Sequence, residues 1–116
     1  MRRTTPKSHC PVNYALESIG DPWSLLIVRD IILHHKQTFR EFLRSDEKIA
    51  TNILQARLSS LLNQGILAKV PHPTDQRKEI YSLTKKGEAL TPILAAMVHW
   101  SVSFDPETSA TQLRKL

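Results

Sequence analysis

The feature that most constrains the fold of this chain is the stretch TNILQARLSSLLNQGIL at residues 51–67, where leucines recur at the spacing of one buried helix face. The apolar positions are Leu54, Leu58, Leu61 and Leu62. The opposite face carries no charge, and its residues are Asn52, Gln55, Ala56, Ser59 and Asn63. Amide and hydroxyl groups can donate and accept hydrogen bonds together, which suits the edges of base pairs. A merely neutral surface facing solvent is the simpler alternative.

The hydrophobic period changes after Gly65, a residue suited to the left-handed position that follows a helix. The segments ILAKV and EIYSL are rich in β-branched and aromatic residues, and a polar loop, PHPTDQRK, separates them. They predict a two-stranded hairpin, or wing, over residues 67–83 with a loop of about eight residues. Arg77 and Lys78 lie in this loop, where they can reach phosphates or an adjacent minor groove.

Helices are also predicted before the leucine-rich one. The segment DPWSLLIVRDIIL has a capping Asp21, a proline in the first turn and apolar residues around most of its circumference, which predicts a buried central helix. In TFREFLR, Thr38 and Glu41 have capping-box spacing, and Arg40 falls on the polar face. The predicted fold is mainly α with a small β-hairpin, a winged helix-turn-helix in which a three-helix core carries the wing.

The positive charge of the chain is concentrated in its middle. The net charge is +5, from 16 Lys and Arg against 11 Asp and Glu, and residues 36–86 hold the whole excess. A localised basic surface is typical of proteins that bind polyanions. A solvated basic face without a partner is the alternative on charge alone.

Four segments within residues 10–100 carry a family resemblance: CPVNYALESIGDPWSLLIVRDI, TFREFLR, IATNILQARLSSLLNQGIL and IYSLTKKGEALTPIL. They resemble the HxlR-type winged helix-turn-helix regulators of bacteria, and the wing, with Asp75 and Arg77, is similar to MarR-type wings. The resemblance implies a homodimer formed by N- and C-terminal dimerisation helices and a palindromic operator. The predicted divisions are a flexible basic N-terminus at 1–9, the HxlR-type domain at 10–104 and a polar C-terminal tail at 105–116.

Double-stranded DNA is therefore the expected partner, with a recognition helix at residues 51–64 in the major groove. Gln55 and Ser59 are the strongest candidates for base contacts. Arg57 lies on the flank of this helix, where it either contacts a phosphate or forms a structural salt bridge. The residues expected to bind DNA are Arg40, Thr51, Asn52, Gln55, Arg57, Ser59, Arg77 and Lys78. The competing function is a winged-helix module that binds protein or RNA without reading a DNA sequence.

Cys10 is the single cysteine of the chain, placed before Pro11 at a predicted helix start. A thiol enzyme needs a positioned base, and no histidine is suitably placed in the sequence, so we expect no enzyme. The Cys and His spacings do not match a zinc site, so we expect no metal and no cofactor. Two interpretations stay open: an ordinary small residue, or a redox-sensing thiol that reacts with an oxidant or a small electrophile, as in some members of the family that the chain resembles.

The cell compartment is predicted from absences in the sequence. One cysteine fits a reducing environment, and the longest apolar run, LLIV, is too short to span a bilayer. The basic N-terminus lacks the apolar segment of a signal peptide. We expect a cytoplasmic protein with no membrane association.

Overall fold

The computed structural model describes residues 5–108, which contain six helices and two strands. In chain order these are α1 (Pro11–Ile19), α2 (Ser24–His34), α3 (Phe39–Phe42), α4 (Thr51–Asn63), β1 (Leu67–Pro71), β2 (Glu79–Leu83), α5 (Lys85–Glu88) and α6 (Thr91–Phe104). The mainly α fold with a small hairpin is confirmed. The predicted terminal segments at 1–9 and 105–116 lie partly outside the described residues.

Helix α1 begins as the sequence predicts, whereas α2 begins only at Ser24, so Pro22 lies before the helix and not in its first turn. Pro11 is the first residue of α1, where its missing N–H costs no hydrogen bond. Asp21 accepts hydrogen bonds from the backbone N–H groups of Trp23 and Ser24, both at 2.9 Å, and so satisfies donors at the start of α2. Val28, on the next turn of α2, is completely buried, which makes α2 the central helix of the core.

Arg29 and Asp30, the polar residues of α2, form a network of ion pairs. Asp30 is only 2% exposed and lies 2.7 Å from the Arg29 guanidinium and 3.3 Å from the Lys36 ammonium. Arg29 also donates to both carboxylate oxygens of Glu47, at 2.7 and 2.8 Å. Because Glu47 belongs to the turn between α3 and α4, this arginine holds the turn against the central helix.

The core joins α3 and α4 to the hairpin. Phe42 of α3 is 1% exposed and meets the ring of Tyr81 on β2 edge-on, with 6.1 Å between centroids. Leu54, Leu58 and Leu61 of α4 are buried against the same core. The leucine face predicted for this helix is therefore confirmed. Its fourth member, Leu62, is only partly buried.

The hairpin follows a glycine turn. Gly65 has a φ of 72°, in the left-handed region predicted for it. Strand β1 pairs antiparallel with β2, in the register Leu67 opposite Leu83 through Pro71 opposite Glu79. Pro71 thus ends the first strand, and the loop between the strands is residues 72–78, slightly shorter than predicted.

The C-terminal helical region is broken into two helices shortly before Pro92. Thr84 caps α5 by accepting a hydrogen bond from the N–H of Gly87 at 3.2 Å. The chain restarts as α6 with Pro92 in its first turn, where a missing N–H is tolerated. Much of the apolar surface of α6 is exposed, including Trp100 at 69% and Phe104 at 75%.

Candidate nucleic-acid interface

Helix α4 turns its uncharged face to solvent. Its leucines occupy the core, so the residues half a turn away must point outward. The predicted base-contact residues on that exposed face are Thr51, Asn52, Gln55 and Ser59. The helix ends one residue before the predicted boundary, because Gln64 takes the C-terminal capping position.

Arg57 has a protein partner. Its Nη1 lies 3.7 Å from Asp21 Oδ1, and both side chains are about one-fifth exposed. Asp21 also accepts hydrogen bonds from the backbone N–H groups of Trp23 and Ser24, so this ion pair ties α4 to the start of α2. Of the two roles predicted for Arg57, the structure favours the salt bridge.

A basic groove separates α3 from the wing. It has a volume of about 700 Å³, and its lining includes Arg40 of α3, Arg44 of the turn that follows α3, and Arg77 and Lys78 of the loop. Each of these four cationic residues is exposed. The fold thus brings together Arg40, Arg77 and Lys78, which the sequence predicted as DNA contacts in separate segments, and places Arg44 of the turn after α3 in the same groove.

Two acidic residues also line this groove, and both have partners. Glu41 completes the predicted capping box: its Oε1 accepts from the N–H groups of Gln37 at 2.9 Å and Thr38 at 3.0 Å. These backbone hydrogen bonds, that from Gln37 foremost, hold the pKa of Glu41 below its ordinary value. Glu79 Oε2 lies 3.3 Å from Lys69 Nζ. The four cations of the groove therefore exceed its acidic groups in number.

The loop of the wing is fixed by hydrogen bonds at its tip. His72 Nδ1 accepts from the N–H groups of Thr74 and Asp75, both at 3.1 Å. Asp75 in turn accepts from the backbone N–H of Arg77 at 3.1 Å and from its guanidinium at 3.2 Å, and these bonds hold the pKa of Asp75 below its ordinary value. The pair Asp75–Arg77 therefore shapes the loop, as its similarity to MarR-type wings implied.

A contact that the sequence did not reveal anchors the wing to the core. The backbone N–H of Tyr81 donates to the carbonyl of Gln37, in the segment between α2 and α3, at 2.7 Å. Because Gln37 immediately precedes the α3 capping box, this bond sets the distance between α3 and β2. A backbone contact between distant segments leaves no signal in side-chain patterns.

Cys10 is an exposed residue at the N-cap of α1. Hydrogen bonds from the backbone N–H groups of Asn13 and Val12 lower the pKa of its thiol below the ordinary value. Such a thiol is more often in the reactive thiolate form. Over residues 5–108, no three His, Cys, Asp or Glu side chains are grouped as metal ligands would be, and none of the helices has the length and apolar content to cross a bilayer.

Comparison with known proteins gives this geometry a family context. Residues 18–109 match the model of the family described as HxlR-like helix-turn-helix. The uncharacterised HTH-type transcriptional regulator YybR of Bacillus subtilis (strain 168) is 33% identical over 84% of this chain and 77% of its own length.

Solved structures of regulators share the fold. The transcriptional regulator YodB from B. subtilis, in reduced form, is 28% identical, with a TM-score of 0.67 over 88% of this chain and all of that one. The redox regulator HypR, in oxidised form, is 31% identical, with a TM-score of 0.68 over 81% of this chain and 96% of that one. The similar proteins are regulators rather than enzymes, as predicted. This chain belongs to the HxlR-like helix-turn-helix family and is a transcriptional regulator of the helix-turn-helix type.

Proposed function

We propose that this regulator binds double-stranded DNA as a homodimer at a palindromic operator. Helix α4 enters the major groove, and the wing at residues 67–83 contacts the flanking backbone or minor groove. The observation that carries the proposal is the presence, in one small domain, of an uncharged amide face on α4 and of a groove between α3 and the wing that four cations line. The amides suit base edges, and the cations suit phosphates.

The proposed homodimer forms through α1 and α6. Val12 and Leu16 lie one turn apart on α1, and both are exposed, as is Met97 on α6 together with the aromatic side chains near its C-terminal end. Exposed apolar residues grouped on two helices favour burial against an identical surface. A two-fold axis there presents two recognition helices to one face of the DNA, which requires a palindromic site.

The salt dependence of binding tests the electrostatic part. If Arg40, Arg44, Arg77 and Lys78 of both protomers each neutralise one phosphate, the slope of log K against log [salt] is about −7. Fluorescence anisotropy with a labelled operator, obtained by in vitro selection, measures this slope. A slope near zero contradicts the proposal.

Two substitutions separate base reading from backbone contact. Gln55→Ala is expected to reduce the preference for the operator over random DNA, since a well-placed amide contributes about 1–3 kcal/mol of base discrimination. Arg77→Ala is expected to weaken binding to operator and random DNA about equally and to make the salt slope shallower by about one for each phosphate that is no longer neutralised. If both variants lose the same affinity on both DNAs, the assignment of roles is wrong.

Cys10 is the residue through which we propose that DNA binding responds to oxidants or electrophiles. Its exposure and its lowered pKa support this, as does the similarity to HypR, a redox regulator, and to YodB, which has also been solved in a quinone-bound form. The thiolate would add to a quinone ring carbon, forming one S–C bond and leaving a hydroquinone. Alternatively, an oxidant such as diamide would take two electrons and two protons from two Cys10 thiols, which would join across the dimer as a disulfide if their Cα atoms lie within about 7 Å.

The Cys10 proposal is tested on DNA release. The wild-type protein is expected to leave its operator on treatment with benzoquinone or diamide, whereas Cys10→Ser stays bound. Mass spectrometry distinguishes a quinone adduct from an intersubunit disulfide. Equal release of both proteins refutes the role of Cys10 and leaves the DNA-binding proposal intact.

A further inference from the structure

The amide of Gln64 connects the recognition helix to α1. Gln64 follows the last residue of α4, and its Nε2 donates to the backbone carbonyl of Ser18, near the end of α1, at 3.0 Å. The same nitrogen donates to Ser60 Oγ, one turn earlier in α4, at 3.1 Å. A single side chain therefore links two helices whose contacting residues are 46 positions apart in the sequence.

Lys86 of α5 reinforces this junction. Its Nζ donates to the backbone carbonyl of Gln64 at 2.9 Å and to the Tyr14 hydroxyl of α1 at 3.1 Å. The ammonium also lies 5.7 Å from the centre of the Tyr14 ring. A cation at the C-terminal end of a helix is favoured by the helix dipole, so Lys86 both caps α4 and holds it to α1.

The junction is partly buried, and its buried polar atoms make its geometry specific. Ser18 is buried, and among the described residues neither its Oγ nor the Oε1 of Gln64 has a hydrogen-bond partner. Hydrogen bonds are directional, and buried polar groups that lose a partner are costly. A rotation of α1 against α4 therefore breaks the bond from Gln64 to Ser18.

We propose that Gln64 is a positioning residue that sets the separation of the two recognition helices, and hence the half-site spacing that the homodimer accepts. This inference rests on the proposed function, in which α1 lies at the dimer interface and the exposed face of α4 reads DNA. The angle between these helices then fixes where the two-fold axis places the second α4. Gln64 acts through this angle and does not itself contact DNA.

A distance measurement tests the inference without DNA. A spin label is attached to Ser59→Cys, on the exposed face of α4, in a Cys10→Ser background that removes the single native thiol. Double electron–electron resonance then gives the distribution of distances between the two labels of a dimer. Gln64→Met preserves length and burial while removing both donated bonds, and it is expected to broaden this distribution or shift its maximum.

Binding to DNA supplies the second readout, in proteins that keep Ser59. Operators that differ by one base pair in the distance between half-sites are compared by anisotropy. Gln64→Met is expected to lower the preference for the native spacing about fivefold, the equivalent of one net hydrogen bond, with little change in affinity for a single half-site. Ser60→Ala is the matched control, because it removes only the bond within α4 and should preserve the spacing preference.

The outcomes separate this inference from the function on which it rests. If the labelled parent shows no dipolar signal, or the unlabelled wild type selects no operator, the proposed dimeric DNA binding fails. If the parent behaves as proposed but Gln64→Met keeps both its distance distribution and its spacing preference, the role of Gln64 is refuted. Gln64→Glu, which has the same shape but cannot donate, provides a second variant and should show the same relaxed spacing.

Discussion

Replacing Arg29 tests how the turn between α3 and α4 is held. Arg29→Met leaves Asp30 buried with a single ammonium 3.3 Å away and releases Glu47. Removing one partner of a buried ion pair costs about 3–5 kcal/mol. Because the Lys36 ammonium remains beside Asp30, we expect the lower limit, a loss of about 3 kcal/mol in the free energy of unfolding.

Two further variants show where this energy arises. Glu47→Gln breaks only the outer pair, whose acidic side chain is 34% exposed, so it should cost about 0.5 kcal/mol. Arg40→Met makes the same chemical change at an exposed arginine and should stay within about 0.5 kcal/mol of the wild type. Urea denaturation followed by circular dichroism measures all three. If Arg29→Met and Glu47→Gln lower the free energy of unfolding equally, the loss in Arg29→Met does not come from the buried Asp30 carboxylate.

The same comparison has a pH dependence with a defined sign. The hydrogen bond from Arg29 holds the pKa of Glu47 below its ordinary value, so folding favours the ionised form. The stability from this pair is complete above the unfolded-state pKa, about 4.3, and is lost as the pH falls through the lower pKa of the folded state. The stability difference between wild type and Arg29→Met should therefore narrow from pH 6 to pH 3, and a constant difference refutes this explanation.

Three other predictions concern separate elements of the fold. Gly87→Ala should lower the free energy of unfolding by about 2 kcal/mol or more, because the added Cβ would collide with the Ile66 carbonyl. Gly65→Ala should lower it by only about 1 kcal/mol, since the site is open and only the positive φ is strained. Urea titrations compare the two variants. Thr38→Ala should cost about 1 kcal/mol by removing the cap of α3, measured in the same way. Trp100→Ser should weaken the proposed dimer in sedimentation velocity yet leave monomer stability within about 0.5 kcal/mol; an unchanged dimer would exclude this part of α6 from the interface.

The features that sequence reasoning predicted correctly are local ones. The Thr38–Glu41 capping box, the left-handed Gly65 and the start of α1 at Pro11 each depend on residues within a few positions of one another. The exposed face of α4 also follows from a short period, because the placement of its leucines fixes the opposite side.

The features that sequence reasoning left open depend on contacts between distant residues. Arg57 pairs with Asp21, which lies 36 positions earlier in the chain. The position of Arg57 on its helix therefore could not show whether its partner is a DNA phosphate or a protein carboxylate. The link from Gln64 to α1 ends on a backbone carbonyl, which any residue type provides. Contacts of this kind follow from the packing of whole helices rather than from a motif.

The wing loop at residues 72–78 has a consequence for how such regulators diversify. The hydrogen bonds described above that shape its tip join His72, Thr74, Asp75 and Arg77 to one another. The anchor to the core lies outside the loop, at Tyr81. Evolution can therefore lengthen, shorten or recharge this loop without repacking the interior. Under the proposed function, such changes would alter the contacts with flanking DNA while the scaffold is inherited unchanged.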